Sequence, residues 1–242
     1  MKKLAAIAVT AVLTACGGGG SGGSSGNSAG AAEGIWSGTF ASGTSASFVV
    51  LENGDTWGVY VSNGVLVGAA NATTTVNGST FSGTERFYDL STGQVTTGSY
   101  SGTAAAKSTL TTVDSAGGTS FTGTYVTAYD QPATLSAIAG SFSGTAVVGG
   151  AGSQTASVSI GANGAITVPS SGGCTTTGSI TPRASGKNIY NVSLSFSGTG
   201  CVLGNGASTT GIAYYKVTTG QVLLLTLTPD KSTGLMYLAT KV

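Results

Sequence analysis

The chain has 242 residues, 41 of them glycine, with 7% charged residues and a formal net charge of +1. So little charge and so much glycine exclude an ordinary helical or α/β protein, and the charge balance steers nothing toward nucleic acid. There is no histidine, which removes the usual residue of acid-base and metal chemistry; the expectation is a protein that is not an enzyme, with no catalytic residue, metal or cofactor.

Lys2 and Lys3 precede an apolar run, Leu4 to Leu13, of ten residues. That is too short to span a bilayer as a helix and reads as an export signal over residues 1–15. Its end, Leu13-Thr14-Ala15-Cys16, resembles the lipobox of bacterial lipoproteins, with Thr14 where Ala or Ser is usual. The resemblance implies that Cys16 carries lipid and becomes the mature N-terminus. At about 0.8 kcal/mol per buried methylene, several acyl chains hold such a protein firmly to a membrane surface. Gly17 follows in place of the Asp that marks inner-membrane retention, so the resemblance implies the outer membrane, on its periplasmic or cell-surface side. Without Lys2 and Lys3 the chain has seven basic and eight acidic residues. Residues 16–33, almost wholly Gly, Ser and Ala after Cys16, read as a flexible tether.

From Gly34 onward, short alternating segments separated by turn dipeptides predict an antiparallel β-meander. An aromatic followed by Ser or Thr, Gly and Thr begins at Trp36, Phe81, Tyr100, Phe121, Phe142 and Phe196, and the inner four copies lie 19, 21 and 21 residues apart. That spacing is about one hairpin. Within a strand the ring and the glycine two residues on share a face, so the ring is placed to cover its own glycine where the strand bends. The motif speaks of fold, not chemistry. Asn53-Gly54, Asn63-Gly64, Asn77-Gly78 and Asn163-Gly164 mark turns, the first and last of them equivalent in setting.

Tyr129 to Gly140 breaks the pattern. Asp130 suits a cap, Pro132 a first helical turn and Gly140 an end, with Leu135, Ile138 and Ala139 on one face, so a short helix or turn is expected. Gly140 reopens the Gly-x-aromatic-Ser-Gly-Thr unit first seen at Gly34, and Thr-Gly-Gln-Val recurs after Phe87-Tyr88 and after Tyr214-Tyr215. The reading is a diverged duplication: an all-β protein of two tandem small antiparallel meander barrels or sandwiches, over residues 34–131 and 132–242. In the second half, Tyr190, Val192, Leu194 and Phe196 alternate with polar residues, as in a strand with one wet face. The segment Val222 to Leu227 is apolar on both faces, so it lies centrally in a sandwich or under a neighbour.

With Cys16 given to lipid, Cys174 and Cys201 remain in an oxidising compartment and are expected to pair. Glu85 and Asp89 share a strand face, and Glu52 and Asp55 flank a turn, but paired carboxylates of a glycosidase are weighed against ordinary solvated positions, which are favoured. Lys107, Lys187, Lys216 and Lys231 read as surface. In Phe87-Tyr88 and Tyr214-Tyr215 one ring of each pair faces outward, which makes Tyr88, Tyr214 and Tyr215 the candidate contact residues. The function expected is a tethered binding or interaction module, for a small apolar ligand in a barrel or for a protein partner. The alternatives are an adhesin or surface protein built as a β-solenoid of twenty-residue rungs, and an inhibitor of a secreted or periplasmic hydrolase. The plan resembles small β-barrel lipoproteins of the transferrin-binding and factor-H-binding kinds; no motif of theirs is shared, so no residue carries over.

Overall fold

The computed structural model describes residues 29–114 and 120–242. Strands β1 (Gly34–Phe40), β2 (Ser45–Val50), β3 (Asp55–Ser62), β4 (Val65–Asn77), β5 (Thr80–Asp89), β6 (Val95–Ala105), β7 (Thr109–Asp114) and β8 (Ser120–Tyr125) form one closed antiparallel barrel, β1 pairing with β8. A second closed barrel follows from β9 (Gly140–Val148), β10 (Gly152–Ile160), β11 (Ala165–Ser171), β12 (Cys174–Pro182), β13 (Tyr190–Ser197), β14 (Ser208–Lys216), β15 (Gln221–Leu227) and β16 (Gly234–Lys241), with β16 pairing back to β9. Within each barrel every strand pairs with its neighbours in sequence, so the twenty-residue spacing is a hairpin period and not a solenoid rung. The export signal and Cys16 lie outside the described residues. The expected tether does not run to residue 33, because Ala29 and Ala32 are fully buried against the first barrel.

Each barrel is stoppered where its first strand begins. In the first, the 3-10 turn Gly30–Ala32 sits there, and the Trp36 indole donates to the Ala32 carbonyl at 2.8 Å. In the second, the stopper is the single turn α1 (Leu135–Ile138), with Ile138 fully buried. Both lead into a glycine of positive φ, Gly34 at 150° and Gly140 at 140°, so the repeated opening unit is the corner where stopper becomes strand. The two Asn-Gly turns are also equivalent. In each, the Asn side chain accepts from the amide two residues on, and the glycine carbonyl accepts from a neighbouring strand, from Thr74 in one barrel and Ile180 in the other.

The short helix expected between the barrels is the single turn α1, but it begins later than Asp130 and Pro132 suggested. Thr134, not Asp130, caps it, accepting from the Ala137 amide, and Pro132 lies ahead of it. Asp130 instead bridges Lys187 at 2.7 Å and Lys107 at 2.9 Å. Those two ammonium groups, Lys187 first, hold its carboxyl down at about 2. A carboxylate depressed in the folded state adds stability above its unfolded value, near 4, and loses it as pH falls through the folded value. The stability of the protein should therefore decline between about pH 4 and pH 2, and Asp130→Asn should flatten that part of a melting-temperature profile.

Two of the motif rings cover a glycine on the adjacent strand rather than their own. Phe81 lies against Gly102 and Tyr100 against Gly83, a reciprocal exchange across the β5–β6 pair, while Phe121 does lie against its own Gly123. Register explains this. Directly opposed residues share a face of the sheet, so Phe81 meets Gly102 head on.

The barrels meet through their outer faces. Leu225, Leu227, Ile212, Val147 and Met236 point out of the second barrel and are buried in one cluster with Trp57, Val59, Ala69, Tyr88 and Leu90 of the first. This is why Val222 to Leu227 is apolar on both faces: one face fills its own barrel, the other lies under its neighbour. Polar bridges flank the seam, with Arg183 to Glu52 at 2.8 Å, Lys231 to the Asn71 side-chain oxygen at 2.7 Å and the Tyr88 hydroxyl to the Lys231 carbonyl at 2.9 Å.

Candidate functional site

The interiors of the two barrels differ. Inside the first, Phe40, Phe48, Tyr60, Phe87 and Phe121 pack with ring centroids 4.9 to 6.4 Å apart, leaving a cavity of about 60 Å³. Thr56, Thr74 and the Tyr100 hydroxyl form a hydrogen-bonded row along its wall. Burial pushes the Tyr60 and Tyr100 hydroxyls above their ordinary range.

Inside the second barrel a cavity of about 210 Å³ opens toward the end away from α1. Val158, Ile166, Val168, Leu194, Leu224 and Tyr237 line it, and no charged side chain does. The space has a simple origin: the inward positions of β9 and β10 include Ala146 and Ala156, too small to meet the leucines across the barrel. The one hydroxyl set deep in its wall, that of Tyr237, already donates to the carbonyls of Phe142 and Ala156, and burial holds its pKa up at about 12. Cys174 and Cys201 form a disulfide with Cα atoms 4.6 Å apart. It ties the segment after β13 to β12 beside the mouth, where Gly200, Val202 and Leu203 form part of the rim. Closing a loop of 27 residues constrains the unfolded chain by about 3 to 4 kcal/mol.

The candidate contact tyrosines are placed otherwise than expected. Tyr88 and Tyr214 do face outward, but into the seam between barrels: Tyr88 is buried there, and Tyr214 is half-buried against the same cluster. Tyr215 faces inward and is buried beside Phe142. Alternation gives the facing of a ring but not what covers it. The carboxylates are likewise dispersed. Glu85 faces the first barrel's interior, Asp89 accepts from Ser91 and Thr92 in its own turn, and Glu52 is bound to Arg183. Asp55 accepts from Trp57 and Asn71. The residues lining the larger cavity were legible only as core positions; the run of small residues on adjacent strands was the available signal for a void.

No protein-family model matches the chain, and no curated protein matches it. Among solved structures it is similar to a protein of unknown function from the DUF3598 family of Nostoc punctiforme, at 10% sequence identity, with 87% of this chain and 96% of that chain covered and a TM-score of 0.27. A likeness of that degree carries no argument about function.

Proposed function

We propose that the protein is a lipid-anchored, non-enzymatic binding module of the outer membrane, and that its second barrel receives a small apolar ligand. The observation that carries the reading is the cavity of about 210 Å³ with an uncharged, largely aliphatic lining. An engineered apolar cavity of about 150 Å³ in another protein binds benzene, so this one is large enough for a short alkyl chain or a small ring. Filling it adds dispersion contacts that the lining side chains otherwise lack. The first barrel, packed with rings, acts as the scaffold that carries the second. The anchor follows from the lipobox resemblance at Cys16 and is tested separately, by mass spectrometry of the mature N-terminus with Cys16→Ala as control.

Ligand binding is tested with 1-hexanol. At roughly 0.8 kcal/mol per buried methylene, a Kd of about 1 mM is expected, read as shifts of the Val158, Ile166, Leu194 and Leu224 methyl resonances. Val168→Trp, which fills the mouth, should abolish those shifts. Shifts confined to the first barrel, or none at about ten times that concentration, would contradict the proposal.

A further inference from the structure

We infer that the cleft between the two barrels is a second binding site, and that its ligand is a neutral saccharide. The cleft has a volume of about 490 Å³, within the range of about 300 to 1,000 Å³ typical of small-molecule sites, and it lies at a domain interface, where such sites concentrate. One wall is the outer face of the second barrel. There the exposed side chains Thr181 and Asn191 are direct cross-strand partners, as are Ser193 and Thr210. Neighbouring strands lie about 4.8 Å apart, on the order of one pyranose residue, so these groups form a ladder of hydroxyls and an amide at sugar spacing. Asp55 and Trp57 form the opposite wall, and the exposed Pro229 provides apolar surface for the C–H face of a ring.

The charged groups in the cleft decide the ligand class. Arg183 is paired with Glu52 through Nε and Nη2, and its Nη1 donates to the Asn191 side-chain oxygen at 2.7 Å. The Asp55 carboxylate accepts from the Trp57 indole at 2.8 Å and from the Asn71 amide at 3.1 Å, and Asn71 in turn accepts from the Lys231 ammonium at 2.7 Å. Asp55 and Lys231 are therefore joined through one buried amide, and Glu52 and Arg183 directly, so the formal charges cancel. A balanced site offers an ion no net attraction. It does offer strong acceptors and strong donors with capacity left over, because each carboxylate oxygen has a second lone pair and an ammonium has three protons. A sugar hydroxyl, which donates and accepts at once, uses both. Trp57 and Asn71 are almost fully buried, which holds these groups in place before a ligand arrives.

The inference is independent of the cavity inside the second barrel and is tested on the full folded chain by amide chemical shifts, with cellotriose, maltotriose and glucuronate as probes. Either neutral trisaccharide should shift the amides of Trp57, Asn191, Ser193, Thr210 and Lys231 with a Kd of about 1 mM. Ser193→Trp, an exposed strand position where a large ring is tolerated, should weaken that binding at least about tenfold while leaving the hexanol response unchanged. Thr181→Val with Thr210→Val, which removes two hydroxyls without changing shape, should weaken it severalfold. Absence of shifts at about 10 mM, binding that survives both variants, or preference for glucuronate over the neutral sugars would overturn the assignment.

Discussion

Gly38→Ala should open the first barrel, at a cost on the order of 3 kcal/mol or more, whereas Gly98→Ala should be close to neutral. Both glycines face the interior of the same barrel, and neither has a φ that excludes a side chain. What separates them is space. A Cβ on Gly38 would overlap the Thr122 carbonyl and lie 2.9 Å from the Gly123 Cα, backbone of the strand on which the barrel closes. That neighbour cannot move without breaking the β1–β8 pairing. A Cβ on Gly98 would meet only the Glu85 side chain, at 3.8 Å, an ordinary contact, and the loss of glycine's unfolded-state freedom offsets any remaining cost. Chemical denaturation of both variants checks the contrast. Equal losses would mean that the closure does not depend on the approach of backbone at Gly38.

Leu225→Asp and Leu224→Asp should fail in different ways although they are adjacent. Leu225 faces out of β15 into the cluster with Trp57, Ala69 and Leu90, while Leu224 faces inward among Ala213 and Tyr237. A one-residue step along a strand exchanges the two faces. A carboxylate at 225 would be buried unpaired in the seam, and separation of the barrels relieves that penalty of several kcal/mol. Leu225→Asp should thus keep its β circular dichroism and show a red-shifted Trp57 emission, since that indole is 7% exposed in the joined state. Leu224→Asp puts the same charge in the barrel core, so it should lose the second barrel's β signal altogether. If both variants unfold globally, the seam is not separable from the core.

These contrasts show where the sequence was informative. Alternation from Tyr190 to Phe196 predicted a strand with one wet face, and Val222 to Leu227 predicted one covered on both sides; both are local consequences of side-chain period. The equivalent Asn-Gly turns and the openings at Gly34 and Gly140 were readable because turn chemistry and glycine corners depend on a few neighbouring residues. The roles of Asp130, Tyr88 and Arg183 were not readable. Each is set by a partner from another part of the chain: Lys187 for Asp130, the Lys231 carbonyl for Tyr88 and Glu52 for Arg183. The same holds for both candidate sites. The cavity in the second barrel depends on which small residues end up opposite which leucines, and the cleft exists only because one barrel's hydroxyl-bearing face stands beside the other barrel's Asp55 and Trp57.

Each half closes on itself, and the halves are then joined through apolar outer faces. A cut between Gln131 and Pro132, both exposed and lying between the buried Tyr129 and α1, at an inserted protease site tests this arrangement most directly. The cut protein should remain a one-to-one complex by size-exclusion chromatography. Separated in denaturant, each fragment should refold alone to a β structure with its own cooperative transition, and the two should reassociate on mixing. Fragments that stay unfolded until mixed would contradict closure of the individual barrels, and folded fragments that do not recombine would contradict the apolar seam.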